Sequence, residues 1–79
     1  MKNKQKYNQT FIESFSINDS VLDDNLIYNS IPEWDSVGHM SLIAELEEVF
    51  DIMMEMDDII DFSSYKKGFE IVAKYGVEF

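Results

Sequence analysis

The stretch SVGHMSLIAELEEVFD, residues 36–51, has the strongest helical periodicity in the chain and decides the fold class. At about 100° per residue, six of its side chains share one side of a helix and predict a core-facing stripe. These residues are His39, Leu42, Ile43, Leu46, Val49 and Phe50. The helix start is predicted at Asp35 or Ser36, because either side chain can accept a backbone N–H of the first turn.

The N-terminal part of the chain predicts one helix followed by a long loop. Tyr7, Phe11 and Phe15 recur every four residues, which indicates a first helix over residues 4–16. Residues 17–35 are rich in Asn, Asp, Ser and Pro and predict an ordered loop with its own apolar anchors. The apolar residues of this loop are Val21, Leu22, Leu26, Ile27 and Ile31.

The C-terminal part predicts two further helices. Residues 57–61 are expected to form a short third helix, and Ser63 or Ser64 is expected to cap a last helix that ends near Gly76. The side chains expected to face the core are Tyr65, Phe69 and Val72. The prediction is therefore one all-α domain over residues 1–79, a small four-helix bundle with three main helices and a short one.

Size and composition exclude several classes of protein. A chain of 79 residues buries only about 60% of the surface that its unfolded form exposes, so a deep catalytic cleft is not expected. There is no cysteine, which removes disulfides, thiolate metal sites and thiol nucleophiles. Neither a signal peptide nor a membrane-spanning stretch is evident, and we expect a cytoplasmic monomer that does not insert into membranes.

The charge is strongly acidic. Sixteen acidic and six basic side chains give a formal net charge of −10, and the acidic residues concentrate in residues 45–61. This sign argues against nucleic acid as a partner. It favours encounter with proteins that carry basic patches, although the same charge also serves solubility alone.

The outer side of the second helix predicts a docking face. Apolar residues occur there although the core does not need them, and carboxylates continue the same surface. We define this docking face as Val37, Met40, Ala44, Glu47 and Glu48. Isolated exposed apolar residues are common and often without function, but an apolar patch with an acidic rim is typical of a protein-binding surface.

Ser36 does not have the surroundings of a catalytic nucleophile. Such a serine needs a general base, and the one histidine, His39, is predicted to point into the core. The sequence around Ser36 also lacks the glycine that precedes the serine by two positions in a nucleophile elbow. We therefore predict no catalytic residue and no enzymatic activity.

The acidic cluster at the end of the second helix and in the third does not predict a metal site. It lacks the alternating ligands, central glycine and closing glutamate of a calcium loop. Its members are Asp51, Glu55, Asp57, Asp58 and Asp61.

Asp35-Ser36-Val37, at the head of a helix that continues as LIAELEEVFD, resembles the acyl carrier protein family, whose signature is Asp-Ser-Leu or a close variant. The resemblance extends over nearly all 79 residues in the order of the helices and the loop. It implies 4'-phosphopantetheine joined to Ser36 through a phosphodiester, with Asp35 as part of the motif. A phosphopantetheinyl transferase would supply this group from coenzyme A.

The same resemblance implies how the protein is used. Its cargo, acyl or aminoacyl, would be held as a thioester and presented to loading and transferring enzymes with basic patches, which bind the second helix. Trp34 and the Gly38-His39-Met40 triplet are closer to stand-alone carriers of specialised pathways and to peptidyl-type carriers than to fatty-acid carriers. The alternative is a protein-binding adaptor with a carrier-like bundle and no modification.

Two details stay open at this level. Gly38 weakens the helix by about 1 kcal/mol relative to alanine, either to let a partner or the prosthetic arm approach the first turn closely or as a tolerated weakness. Met53, Met54 and Met56 serve either ordinary packing or a cavity that opens between helices for the cargo.

Overall fold

The computed structural model describes residues 2–79, and within this range the chain forms four α-helices and one 3₁₀ turn. The helices are α1 Asn3–Phe15, α2 Ser36–Phe50, α3 Met56–Asp61 and α4 Tyr65–Ala73. The all-α prediction is confirmed for this part of the chain, and the predicted ends of the first three helices differ from the observed ones by one residue at most.

The starts of α2 and α4 are set by side-chain caps. Oδ1 of Asp35 accepts the backbone N–H of Gly38 at 2.8 Å, so Asp35 and not Ser36 is the N-cap of α2. Oγ of Ser64 accepts the backbone N–H of Lys67 at 2.8 Å, so Ser64 is the N-cap of α4. Each cap satisfies a backbone donor that the first turn leaves without an intrahelical partner. Gly76 has φ 90°, the left-handed conformation expected beyond the last helix.

The core is largely aromatic and lies where α1 packs against α2. Tyr65 and Val72 of α4 are buried and Phe69 is half-buried, as predicted. The fully buried side chains are Tyr7, Phe11, Phe15, Trp34, Leu42, Ile43, Leu46, Phe62 and Val72.

The predicted stripe of α2 is correct except at its last turn. Val49 is 38% exposed and Phe50 only half-buried, whereas Leu46 is fully buried. The last turn is covered on the Phe50 side only, where the ring of Phe79 lies 6.1 Å from the ring of Phe50. Val49 is thereby left at the surface.

The long loop between α1 and α2 is tied to the connection between α3 and α4. The N–H of Tyr28 donates to the carbonyl of Ser63 at 2.9 Å, and the N–H of Tyr65 donates to the carbonyl of Leu26 at 2.9 Å. Leu26 is a buried anchor, as predicted, but Ile27 is 48% exposed because it lies in an extended bridge to Ser64 at the surface. These bonds hold the loop beside the start of α2.

From Lys2 to Phe79, no helix combines the length and the apolar character that crossing a bilayer requires.

Candidate functional site

Ser36 is the first residue of α2, and its side chain is exposed. Its Oγ lies 3.0 Å from the phenol oxygen of Tyr28, at hydrogen-bond distance. Because Asp35 caps the helix, the two residues of the motif have separate tasks: Asp35 holds the helix start, and Ser36 presents its hydroxyl. The hydroxyl stands at the positive end of the helix dipole, beside first-turn N–H groups that have no intrahelical partner.

His39 is part of the core, as predicted. Its Nδ1 lies 2.9 Å from the indole Nε1 of Trp34, and its Nε2 lies 2.8 Å from the carbonyl oxygen of Ile59. An indole N–H only donates and a carbonyl only accepts, so Nδ1 must be the acceptor and Nε2–H the donor. Both ring nitrogens are therefore used in structural hydrogen bonds, and neither is left to take a proton from Ser36.

A pocket of about 370 Å³ opens between α2 and α3 beside Ser36. Ser36 and Tyr28 contribute hydroxyl groups to its wall, but most of the lining is apolar. The apolar lining residues are Met40, Met56, Ile59, Ile60 and Phe62. We call this cavity the α2–α3 pocket. Met40, Met56 and Ile60 are each more than half exposed, so the rim of the pocket is apolar as well.

The three methionines beyond α2 differ in their surroundings. Met54 is buried in the core, Met56 lines the α2–α3 pocket, and Met53 is 84% exposed. The sequence left open whether these methionines pack in the core or line a cavity between helices. Met54 packs in the core, and Met56 lines a cavity.

The docking face is exposed except at one residue. Val37, Met40, Ala44 and Glu48 are exposed along α2, with Val37 at 76%. Glu47 is half-buried, and its Oε2 accepts the backbone N–H of Met54 at 2.9 Å. Its carboxylate therefore holds the turn that follows α2, a role that the helical pattern did not indicate.

Gly38 is required by a contact within the chain. A Cβ atom at this position would lie 1.9 Å from the carbonyl oxygen of Glu33, far inside van der Waals contact. The group that approaches Gly38 is thus the backbone of the loop before α2, a contact that neither interpretation of this glycine from the sequence considered.

The helix α3, which forms one wall of the pocket, is fastened to the end of α4 through Asp58. The carboxylate of Asp58 accepts a hydrogen bond from Nζ of Lys74 at 2.5 Å and another from the hydroxyl of Tyr75. These two donors lower the pKa of Asp58, and the Asp58 carboxylate in turn raises the pKa of Lys74. The oxygen of Tyr75 also accepts the backbone N–H of Glu55 at 2.9 Å.

The acidic cluster considered for metal binding is accordingly divided by the fold. Asp58 is buried against α4, while Asp51, Glu55, Asp57 and Asp61 are exposed. Within residues 2–79, no group of three or more His, Asp or Glu side chains is arranged to hold a metal ion.

Ser36, Tyr28 and the α2–α3 pocket thus form the candidate site, with the docking face beside it on α2. This site combines an exposed hydroxyl with an apolar cavity, and the imidazole beside it, that of His39, has both ring nitrogens in hydrogen bonds. Comparison of the chain with protein-family models, with curated proteins and with solved structures gives no match.

Proposed function

We propose that this chain is a cytoplasmic acyl carrier protein that bears 4'-phosphopantetheine on Ser36. The observation that carries the proposal is the position of Ser36. Its hydroxyl is exposed at the start of α2, and the residue lines the α2–α3 pocket. Once joined to Ser36, the group supplies the thiol that the sequence lacks and holds the cargo as a thioester.

The residues around Ser36 fit a phosphodiester. The exposed hydroxyl is accessible to a transferase, and the first-turn N–H groups and the helix dipole favour the negative charge that the ester would add. Asp35 contributes by holding the helix start in place, because its Oδ1 accepts the N–H of Gly38. Tyr28 offers a further hydroxyl within hydrogen-bond distance of the ester oxygen.

The α2–α3 pocket supports a cargo with an apolar portion. Its lining by methionine, isoleucine and phenylalanine side chains suits hydrocarbon, and the flexible thioethers of Met40 and Met56 can adapt to different shapes. An acyl group meets this description most directly, and an aminoacyl group with an apolar side chain also does.

The docking face supports transient binding of partner enzymes, the phosphopantetheinyl transferase among them. Val37, Met40 and Ala44 supply exposed apolar contact along α2, starting beside Ser36. Glu48 and the surrounding acidic residues supply negative charge, which raises the rate of encounter with a basic patch more than it raises affinity. Such exchangeable docking is what a carrier that visits several enzymes requires.

The test is the intact mass of the protein after incubation with coenzyme A and a promiscuous phosphopantetheinyl transferase. The wild type is expected to gain the mass of one arm, and Ser36→Ala is expected to gain none. Ser41→Ala is the matched control, because Ser41 is an exposed serine on the same helix; this variant should be modified like the wild type. If the wild type gains nothing under conditions that modify a known carrier, the unmodified adaptor replaces the carrier as the function.

A further inference from the structure

We infer that Tyr28 is a positioning residue for the attachment point: its phenol hydroxyl orients Ser36 Oγ for modification and afterwards donates a hydrogen bond to the phosphodiester. The inference deepens the proposed function and rests on it. The observation behind it is the distance of 3.0 Å between Tyr28 Oη and Ser36 Oγ, two residues that both line the α2–α3 pocket.

The backbone of Tyr28 and of the two residues before it is bonded to the connection between α3 and α4. Its N–H is bonded to the carbonyl of Ser63, and two residues earlier the carbonyl of Leu26 accepts the N–H of Tyr65. The residue between them, Ile27, pairs with Ser64 as an isolated bridge. The backbone of Tyr28 therefore belongs to a loop segment that is fastened to the α3–α4 connection.

The ring of Tyr28 is also held. It stands perpendicular to the imidazole of His39, with 5.5 Å between the ring centroids. The imidazole is fixed by its bonds to Trp34 and Ile59. Edge-to-face packing on a fixed imidazole restricts the orientation of the Tyr28 ring. In this orientation the Tyr28 hydroxyl lies at hydrogen-bond distance from Ser36 Oγ.

The hydroxyl chemistry gives Tyr28 a different task before and after modification. In the unmodified protein either hydroxyl can be the donor, since both Ser and Tyr hydroxyls donate and accept. During transfer, Ser36 Oγ forms a bond to the phosphorus that carries the pantetheine, the bond from this phosphorus to the adenosine bisphosphate breaks, and the serine proton leaves to the transferase. Oγ is then an ester oxygen without a proton, so only Tyr28 can donate.

A hydrogen bond from Tyr28 to this group would be strengthened by the charge of the phosphodiester, because bonds to ionised acceptors are shorter and stronger than neutral ones. Tyr28 would then restrict the orientation of the arm where it leaves the protein. This restriction comes from the chain itself and acts with any partner enzyme.

The variant that tests the inference is Tyr28→Phe in the full chain, because it removes the hydroxyl and keeps the ring on His39. We expect kcat for transfer from coenzyme A to fall about tenfold, with a smaller change in KM for the carrier protein, since the docking face is unaltered. In the modified protein, the phosphorus NMR resonance of the phosphodiester should shift between wild type and Tyr28→Phe.

Tyr75→Phe is the matched control. It removes a phenol hydroxyl that is hydrogen-bonded to Asp58 and Glu55 and not to Ser36. If the two variants slow transfer in proportion to their losses of thermal stability and leave the phosphorus resonance in place, Tyr28 is only structural and the inference is overturned. If the wild type itself is not modified, the proposed function fails instead; a modified wild type with an unaffected Tyr28→Phe overturns this inference alone.

Discussion

The indole N–H of Trp34 donates a hydrogen bond of 2.9 Å to Nδ1 of His39, the only histidine of the chain. Because Nε2 of the same ring donates to the carbonyl of Ile59, a single imidazole joins the loop before α2, the helix α2 and the helix α3. This imidazole lies along one side of the α2–α3 pocket. The geometry of the pocket and the stability of the fold therefore depend on the same residue.

Replacement of His39 by alanine should be strongly destabilising. It leaves the buried indole N–H of Trp34 and the carbonyl of Ile59 without their partner. Unmade bonds of this kind cost about 1–3 kcal/mol each, so we expect a loss of about 2–6 kcal/mol in the free energy of unfolding. Urea denaturation followed by the fluorescence of Trp34 measures it. Ser41→Ala, on the exposed side of α2, should stay within about 0.5 kcal/mol of the wild type, and a comparably small effect for His39→Ala would refute the linking role.

Asp58 should make the stability of the protein dependent on pH in the acidic range. Its donors Lys74 and Tyr75 lower its pKa in the folded state, so its stabilising contribution is present above the unfolded pKa, about 3.9, and is lost as the pH falls through the folded pKa. The difference in unfolding free energy between wild type and Asp58→Asn should thus be large at neutral pH and shrink towards pH values below about 4. Asp57→Asn, at an exposed neighbouring position, should show no such change, and a pH-independent difference for Asp58→Asn would contradict the assignment.

Gly38→Ala separates helix propensity from tertiary contact. On propensity alone the variant should gain about 1 kcal/mol. We expect it to lose stability instead, by about 1–3 kcal/mol, because the added methyl group would overlap the carbonyl oxygen of Glu33 and force the loop to move. Thermal unfolding followed by circular dichroism decides the sign; a raised melting temperature would show that the loop yields easily.

Glu47 and Glu48 are neighbours with equal charge and different surroundings. Glu47→Ala should lower the free energy of unfolding by about 1 kcal/mol or more, since Glu47 accepts the N–H of Met54 after the end of α2. Glu48→Ala should be neutral or slightly stabilising, because it relieves repulsion in an acidic chain. Parallel urea titrations of the two variants test this, and equal effects would mean that the bond of Glu47 contributes nothing.

Added salt should stabilise the protein. Between about 0.01 M and 0.1 M salt the Debye length falls from about 30 Å to about 10 Å, which screens the repulsion that accompanies a net charge of −10. Salt also screens the attraction in the ion pair of Lys67 and Glu70. This pair is well exposed, with its charged atoms 3.8 Å apart, so its loss is too small to cancel the gain in stability. A melting temperature that rises over this range is the expected result, and a flat or falling one would contradict the electrostatic account.

Much of the secondary structure follows from local pattern. The apolar spacing of α1 and α2 and the serine before α4 predict these helices closely, because a helix start and a helix face are decided by residues within one or two turns of each other. The same local logic places Ser36 at a helix start and His39 on the core side. The same logic wrongly predicts that Val49 and Ile27 face the core. Whether these two side chains are covered depends on segments that are distant in the sequence.

Local pattern in the sequence thus accounts for four helices, for the serine at the start of α2 and for the acidic outer surface. Three contacts emerge only from the folded chain: Tyr28 lies against Ser36, Asp58 is paired with Lys74, and Glu33 excludes a side chain at Gly38. The two groups of features differ in how far apart the interacting residues are along the sequence. Periodicity and capping act over about one helical turn, whereas these contacts depend on how a long loop, α3 and the end of α4 settle around a shared aromatic core.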